Sequence, residues 1–565
     1  MLEKLTGGVR PYLLLSLLAV MLYVPGLATV PPLDRDESRF VQATRQMLET
    51  GDFVRIQFQD EMRAKKPVGA YWAQAAAVKL FSTPEAITMW PYRLPSALAA
   101  WVAALLVFAF GRHLFGPLPA LIGAALMSSS LMLLAEGHQA KTDALLLACV
   151  VAAQGALARF YLAGRRSEAA KSCSTTGGCG SSAAVPGGPG PGVALAFWLA
   201  QGIAVLIKGP IVPMVSLLTI LTLVVLERRG AWLMTLRPIT GFLVAAAVAG
   251  PWFAAVSQAT GGAFVGEAVK GDLLPKLLGA QESHGGWPGT YLLLAGLTFW
   301  PGSLFLWPAL VKAWATRTQP AVRFCLAWIV PSWLVFELVP TKLPHYVLPT
   351  YPALALLVGW CMVGTVGVFG HRAARAWYGV WALIGLVLAA AVVVAPIKFG
   401  DGFSAFSLPG AVGIAGASLL AAWMAWRGRL LPASAAVVAT AAIAFPVVFD
   451  GVLPSLDKLW LSRGVAQAAT QIGHTAPVAA AGFSEPSLVF LLGTRTVLTS
   501  GDGAAAHLVA APGSLAVVSD REEPSFLDRA KRLGFAPQPL AIVKGLNYSR
   551  GKPIMLTVYA KVREP

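Results

Sequence analysis

The sequence predicts a polytopic α-helical membrane protein of about thirteen transmembrane helices with a small C-terminal α/β domain, and three observations predict it. Of its 565 residues 56% are hydrophobic and only 13% are charged, too apolar a balance for a soluble enzyme. Apolar runs of about twenty residues, the length that crosses roughly 30 Å of hydrocarbon, recur between Tyr12 and Phe445. After about Gly451 the runs shorten and alternate with polar helical segments. The chain therefore divides into residues 1–454, a membrane domain, and residues 455–565, an α/β domain.

The predicted spans centre on Leu18, Ala103, Leu126, Cys149, Ala200, Leu218, Ala246, Leu293, Trp328, Leu356, Leu386, Leu419 and Ala439. The first has the length of a signal peptide but no small-residue cleavage site before the charged residues that follow, so it reads as a retained helix. At Lys208-Gly209-Pro210 two spans fit the charge pattern better than one kinked helix. Alternate connections are basic: Lys4 and Arg10, Arg112, then Arg165, Arg166 and Lys171, then Arg228, Arg229 and Arg237. Lys312, Arg317 and Arg323, then Arg372 and Arg375, then Arg427 and Arg429 continue the same side, which short-loop charge bias makes cytoplasmic. An odd number of spans leaves the C-terminus outside. This topology accounts for most of the net charge of +17, with a smaller share attracting anionic lipids and none needed for nucleic acid.

The Gly/Ser/Pro-rich stretch at about 164–193 predicts a flexible cytoplasmic linker. Cys149, Cys325 and Cys361 fall within spans as packing residues. Cys173 and Cys179 lie in the linker, where no further Cys or His completes a metal set. In the C-terminal domain 478–481, 515–518 and 554–560 read as strands and 526–533 as a helix.

Chemistry concentrates in the external loops, about 32–85 and 258–289. Directly after the first span stands Asp34-Arg35-Asp36-Glu37-Ser38-Arg39, and ionised groups at a membrane mouth point to a reaction or binding site. Residues 38–48 carry Phe40, Ala43, Met47 and Leu48 on one stripe, predicting an amphipathic helix on the membrane surface with Asp36 as N-cap and Gly51 as stop. A second helix is expected from Lys66-Pro67 through Tyr71 and Trp72 towards Phe81, its N-terminus a seat for phosphate.

The external carboxylates are Asp34, Asp36, Glu37, Glu136 and Asp143, and Asp143 opens an apolar run, so it reads equally as a helix cap. The external cations are Arg39, Lys65, Lys66, Arg93, Lys208 and Lys342, each able to snorkel at a helix end but together suited to a phosphorylated amphiphile. Lys342-Leu343-Pro344-His345-Tyr346 adds an imidazole and a phenol at one membrane edge. Glu282 and His284 form a two-ligand fragment, which does not define a metal site. Phosphate-binding Walker loops, dinucleotide fingerprints and Gly-x-Ser-x-Gly elbows are absent from the sequence.

Six motifs, in order, resemble the aminoarabinose transferase family, relatives of the protein O-mannosyltransferases among GT-C-like glycosyltransferases. They are Asp36-Glu37-Ser38-Arg39-Phe40, Lys65-Lys66-Pro67-Val68 with Tyr71-Trp72, and Arg93-Leu94-Pro95-Ser96-Ala97. Lys141-Thr142-Asp143-Ala144-Leu145, Lys208-Gly209-Pro210 and Lys342-Leu343-Pro344-His345-Tyr346-Val347-Leu348-Pro349 follow. The resemblance implies a bacterial inner-membrane enzyme with a periplasmic site and C-terminus, moving one sugar from a polyprenyl-phosphate carrier to lipid A or another envelope acceptor. It implies Asp36 as the leading catalytic carboxylate and Asp143 as the second. Arg39, Lys66, Lys208 and Lys342 would face phosphate, and Glu37, Tyr71, Arg93, His345 and Tyr346 the rest of the substrate. The lipid-linked donor is the one small molecule expected. Lys65 stands where the family often has an acidic residue associated with a structural metal, which counts against a divalent ion there. Glu136-Gly137-His138-Gln139 also replaces a commonly Arg-containing segment. The competing class is a lipid or sugar transporter; charges gathered at one membrane face, without an inverted repeat of broken helices, favour transfer.

Overall fold

Proline at the first or second helical position opens many of the apolar helices, where its missing N–H costs nothing: Pro91, Pro117, Pro191, Pro238 and Pro320 all serve this way. The computed structural model describes residues 5–175, 188–275, 279, 285–364 and 367–561. Among these, nine helices are long and apolar enough to cross a bilayer, and eleven spans result if each of two bent pairs counts as one. The bent pairs are Pro117–Ser128 with Leu131–Gly137, at 62°, and Thr290–Thr298 with Gly302–Ala315, at 117°.

Each of the sequence-derived centres falls within an apolar helix. The expected number of crossings additionally requires Arg10–Tyr23, of 14 residues, and Ile211–Glu227, of 17. At about 1.5 Å per residue both are shorter than a roughly 30 Å hydrocarbon layer. At Lys208-Gly209-Pro210 the chain forms two helices, separated by Gly209 at φ +66°.

Small residues let the helices close on one another. Pro117–Ser128 and Tyr351–Gly364 meet backbone to backbone, and a Cβ added at Gly359 would lie 2.1 Å from the Pro119 carbonyl oxygen. The helix from Asp143 continues to Thr175, into the stretch read as a linker, and residues 176–187 lie outside the described residues.

Outside the bundle, a helix runs Asp36–Thr50 and a second Gly69–Phe81, with a two-stranded hairpin between them, β1 (Gln57–Phe58) and β2 (Glu61–Met62). Gly51 ends the first at φ +73°, as expected. Two expectations are corrected. Asp36 is not the N-cap but the first helical residue, and the N-cap position is Arg35 with no side-chain cap bond. Nor does the helix lie with one stripe down and the other face free: Ser38, Gln42, Thr44, Arg45 and Gln46 are buried along with Phe40, Ala43 and Met47.

The C-terminal domain covers the other face. Its five strands, β3 (Ala479–Ala481), β4 (Val497–Thr499), β5 (Leu515–Ser519), β6 (Pro537–Asn547) and β7 (Lys552–Lys561), form one sheet in the order β4-β3-β5-β7-β6. The first three are parallel, and the β6–β7 pair runs antiparallel along the other edge. Helices Leu461–Ile472, Pro486–Leu492, Gly501–Ala510 and Glu523–Arg532 complete the α/β unit.

Candidate active site

The site is built where the loop after the first apolar helix meets Leu131–Gly137, the start of Asp143–Thr175, the end of Pro191–Lys208 and the turn 344–350. Its foundation is a buried ion pair. Arg93 grips Glu37 with Nε to Oε1 and Nη2 to Oε2, both at 2.8 Å, and neither side chain has exposed surface. The remaining guanidinium hydrogens go to the carbonyls of Leu27, Val30 and Pro31. Glu37 also accepts from the backbone N–H of Leu33 and Ala140, at 3.0 and 2.8 Å. The pair therefore ties the loop, the surface helix and the 138–142 segment together. Expected as substrate contacts, Glu37 and Arg93 are instead a brace, since their polar atoms are consumed inside the protein.

On this brace sit three carboxylates and their cations. Lys208 Nζ lies 2.5 Å from Asp143 Oδ1, and Lys141 Nζ lies 3.1 Å from Glu136 Oε1. His345 stands between them, Nδ1 3.6 Å from Glu136 and Nε2 3.8 Å from Asp143. The Lys208 ammonium also lies over the Tyr346 ring, 5.4 Å from its centroid. Thus Asp143, Lys208, His345 and Tyr346, scattered over two hundred residues of sequence, come together in one cluster. The other Glu136 oxygen, Oε2, is buried and meets no donor among the described residues.

Asp36 is accessible, though protein crowds it. Partial burial raises its carboxyl, but Lys141, Arg63, Arg39 and His345 outweigh that and hold it below the usual carboxylate range. Lys141 answers in kind: burial lowers its ammonium, and Glu136, Asp143 and Asp36 more than restore it, leaving it raised and charged.

Several expected contacts lie elsewhere. Lys342 is spent on the carbonyls of Phe336, Glu337 and Val339, at 3.2, 2.5 and 2.6 Å, capping the C-terminal end of Pro320–Leu338. Tyr71 is fully buried, stacked on Phe40 at 4.9 Å, with its hydroxyl accepting from Arg63 Nε at 3.1 Å. Lys66 is half-buried near the start of Gly69–Phe81 and donates to the Lys65 carbonyl. Glu282 and His284 lie outside the described residues. Arg63 and Lys141 had no role among the expected site residues, and Glu136 stood only as one of the external carboxylates. Arg63 carried no motif signal, whereas Lys141 stood within Lys141-Thr142-Asp143, five residues after Glu136.

Three kinds of similarity bear on this geometry. A family model described as dolichyl-phosphate-mannose-protein mannosyltransferase matches residues 65–170. Curated relatives named undecaprenyl phosphate-alpha-4-amino-4-deoxy-L-arabinose arabinosyl transferase come from Edwardsiella ictaluri, Aeromonas hydrophila and Erwinia tasmaniensis. The Edwardsiella protein is 27% identical over 63% of this chain and 59% of its own length, and the Aeromonas protein 28% over 68% and 66%. The Erwinia protein is 26% identical over 78% of this chain and 77% of its own. The fold matches the crystal structure of ArnT from Cupriavidus metallidurans bound to undecaprenyl phosphate, with a TM-score of 0.73, 19% identity and 98% of each chain covered. The apo form of that protein gives 0.70. The chain is therefore similar in sequence to aminoarabinose transferases and, over residues 65–170, to the protein mannosyltransferase family model, and it shares the fold of the Cupriavidus protein.

Proposed function

We propose that this protein transfers a single sugar from an undecaprenyl-phosphate carrier to lipid A or a similar envelope acceptor, at the periplasmic face of the bacterial inner membrane. The observation that carries the reading is an accessible, ionised Asp36 among Lys141, Arg63, Arg39 and His345, beside the Lys208–Asp143 pair. A carboxylate and fixed cations at one membrane mouth match the charge changes of this reaction.

In the proposed step the bond between the anomeric carbon and the carrier phosphate oxygen breaks, its electron pair leaving on phosphate. An acceptor oxygen bonds to the same carbon from the opposite side, which inverts the centre. Negative charge grows on the departing phosphate, and preorganised cations stabilise it. Arg39 and Arg63 offer planar forks for that group, with Lys66 nearby in sequence at the second helix and Lys141 a buried point charge. With a hydroxyl acceptor, Asp36 takes the proton. With a lipid A phosphate the nucleophile is already ionised, and Asp36 orients sugar or Arg39 instead. Glu136 Oε2, lacking a protein donor among the described residues, is the acceptor left for a sugar hydroxyl or amine. Asp143, held by Lys208, keeps His345 and Tyr346 in place. The membrane topology proposed is thirteen crossings with the C-terminal domain periplasmic.

The test is incubation of purified protein in liposomes with radiolabelled undecaprenyl-phosphate sugar and lipid A. A labelled acceptor is expected, and Asp36→Asn lowers the rate by about 10²-fold or more. Movement of label across the bilayer with no new covalent product would instead identify a transporter.

A further inference from the structure

The peptide that aims Asp36 is strained, and the C-terminal domain holds it. Arg35 has φ 65° and ψ −100°, close to the first central position of a type II′ turn, which is glycine's place. For an L residue such a conformation is strained and persists only where surroundings over-determine it. Part of the surroundings belongs to the membrane domain: Ser38 Oγ donates to the Leu33 carbonyl at 2.5 Å, and Glu37 accepts from Leu33 N–H.

The rest comes from the far end of the chain. The Asp34 N–H donates to Tyr548 Oη at 2.6 Å, and Arg35 Nη2 donates to the Ser549 carbonyl at 3.1 Å. Ser487 Oγ donates to the Asp34 carboxylate. Tyr548 and Ser549 lie in the turn between β6 and β7, and that turn is anchored in its own domain by Asn547 Nδ2 donating to Glu485 at 3.1 Å. Further along the same helix, Gln42 and Glu49 meet Thr494, and Arg45 donates to the Phe490 carbonyl. These contacts grip the helix on the face away from the bundle, and the innermost of them bear on the two residues just before Asp36.

We propose that the β6–β7 turn, with Ser487, is a positioning device for the reaction: it stabilises the glycine-like bend at Arg35 and so directs Asp36 into the cation cluster. The C-terminal domain thus contributes to turnover without touching substrate, with Tyr548 its principal positioning residue. This rests on Asp36 being the reacting carboxylate.

Tyr548→Phe removes the hydroxyl oxygen and keeps the ring against Trp460. The variant is expected to lose about tenfold or more in kcat, since misplacement of about 1 Å can cost 10²-fold, with KM for donor changed less than about twofold. Amide hydrogen exchange at 33–39 rises while thermal stability stays near wild type. Arg35→Gly, which makes the bend intrinsic, restores kcat when combined with Tyr548→Phe. Wild-type kcat in Tyr548→Phe despite faster exchange overturns the proposal, as does a parallel fall in kcat, donor affinity and stability that Arg35→Gly does not repair. Full activity in Asp36→Asn, run beside these, overturns the reading of Asp36 itself while exchange still reports whether the turn holds the peptide.

Discussion

Asp36 and Glu37 are adjacent carboxylates with opposite fates, because a helix turns successive residues by about 100°. One side chain opens to the cation cluster; the other points inward to Arg93 and to the backbone N–H groups of Leu33 and Ala140, while Arg93 binds three carbonyls besides. Removing half of a buried pair strands the other charge, so Glu37→Gln is expected to cost about 3–5 kcal/mol, read as a marked fall in Tm in detergent. Donor affinity of the folded fraction should be unchanged, whereas a direct substrate contact would lose affinity at normal stability. For Asp36 the prediction concerns pH. Its cations hold the carboxyl below the ordinary value of about 4, so the acid limb of kcat at saturating donor should lie below about pH 4. Arg63→Gln withdraws one stabilising charge, which raises the carboxyl and moves that limb upward; Arg63→Lys should leave it in place. An unmoved limb in Arg63→Gln would show that Asp36 ionisation does not govern turnover. Charge beside an apolar run is costly, which made the Asp34–Arg39 stretch legible as a candidate site, and family likeness ranked Asp36 above Glu37. The internal pairing of Glu37 with Arg93 was not legible, since it depends on helix phase and on a partner 56 residues away.

At the scale of elements, period and punctuation were legible where local physics decides. Every apolar run became a helix, and Gly51 stopped the surface helix because only glycine takes φ +73° without strain. A Cβ at Gly51 would meet nothing within 4 Å, so Gly51→Ala isolates backbone strain from packing. The expected cost is about 1–2 kcal/mol, measured as lowered Tm with donor affinity retained. Illegible from period alone was what covers the polar side of that helix. Gln42, Arg45 and Gln46 read as a solvated face, and they are buried because their partners are hydrogen-bonding groups rather than apolar ones. Lys342 misled for a related reason. A cation beside a helix end looks the same in sequence whether it awaits phosphate or caps three carbonyls, and here it does the second.

Over the whole molecule the decisive contact joins residues 453 apart, Asp34 and Ser487, a pairing no local pattern encodes. It also makes the union of the two domains sensitive to acid. Burial raises the Asp34 carboxyl to about 7 and the Glu485 charge adds to this, against the hydrogen bonds from Ser487 and Tyr548 that favour ionisation. Arg35, the one cation adjacent in sequence, directs its guanidinium to the Ser549 carbonyl, and Glu37 is occupied with Arg93. When the C-terminal domain lifts away, Asp34 returns towards its ordinary value of about 4. Below about pH 4 both states are protonated and docking has its full strength. Between about pH 4 and 7 the docked state alone keeps the proton, so docking weakens as pH rises, and above about 7 the loss is complete. Asp34→Asn keeps the shape and removes the titration, so docking should become independent of pH across this window and stronger than wild type at neutral pH. Hydrogen exchange at 486–496 and 547–550, followed from pH 5 to 8 in the purified protein with correction for intrinsic exchange, measures it directly. Protection that falls with pH in wild type but stays level in Asp34→Asn is the expected result; parallel profiles would mean that Asp34 does not set the strength with which the domain grips the helix bearing Asp36.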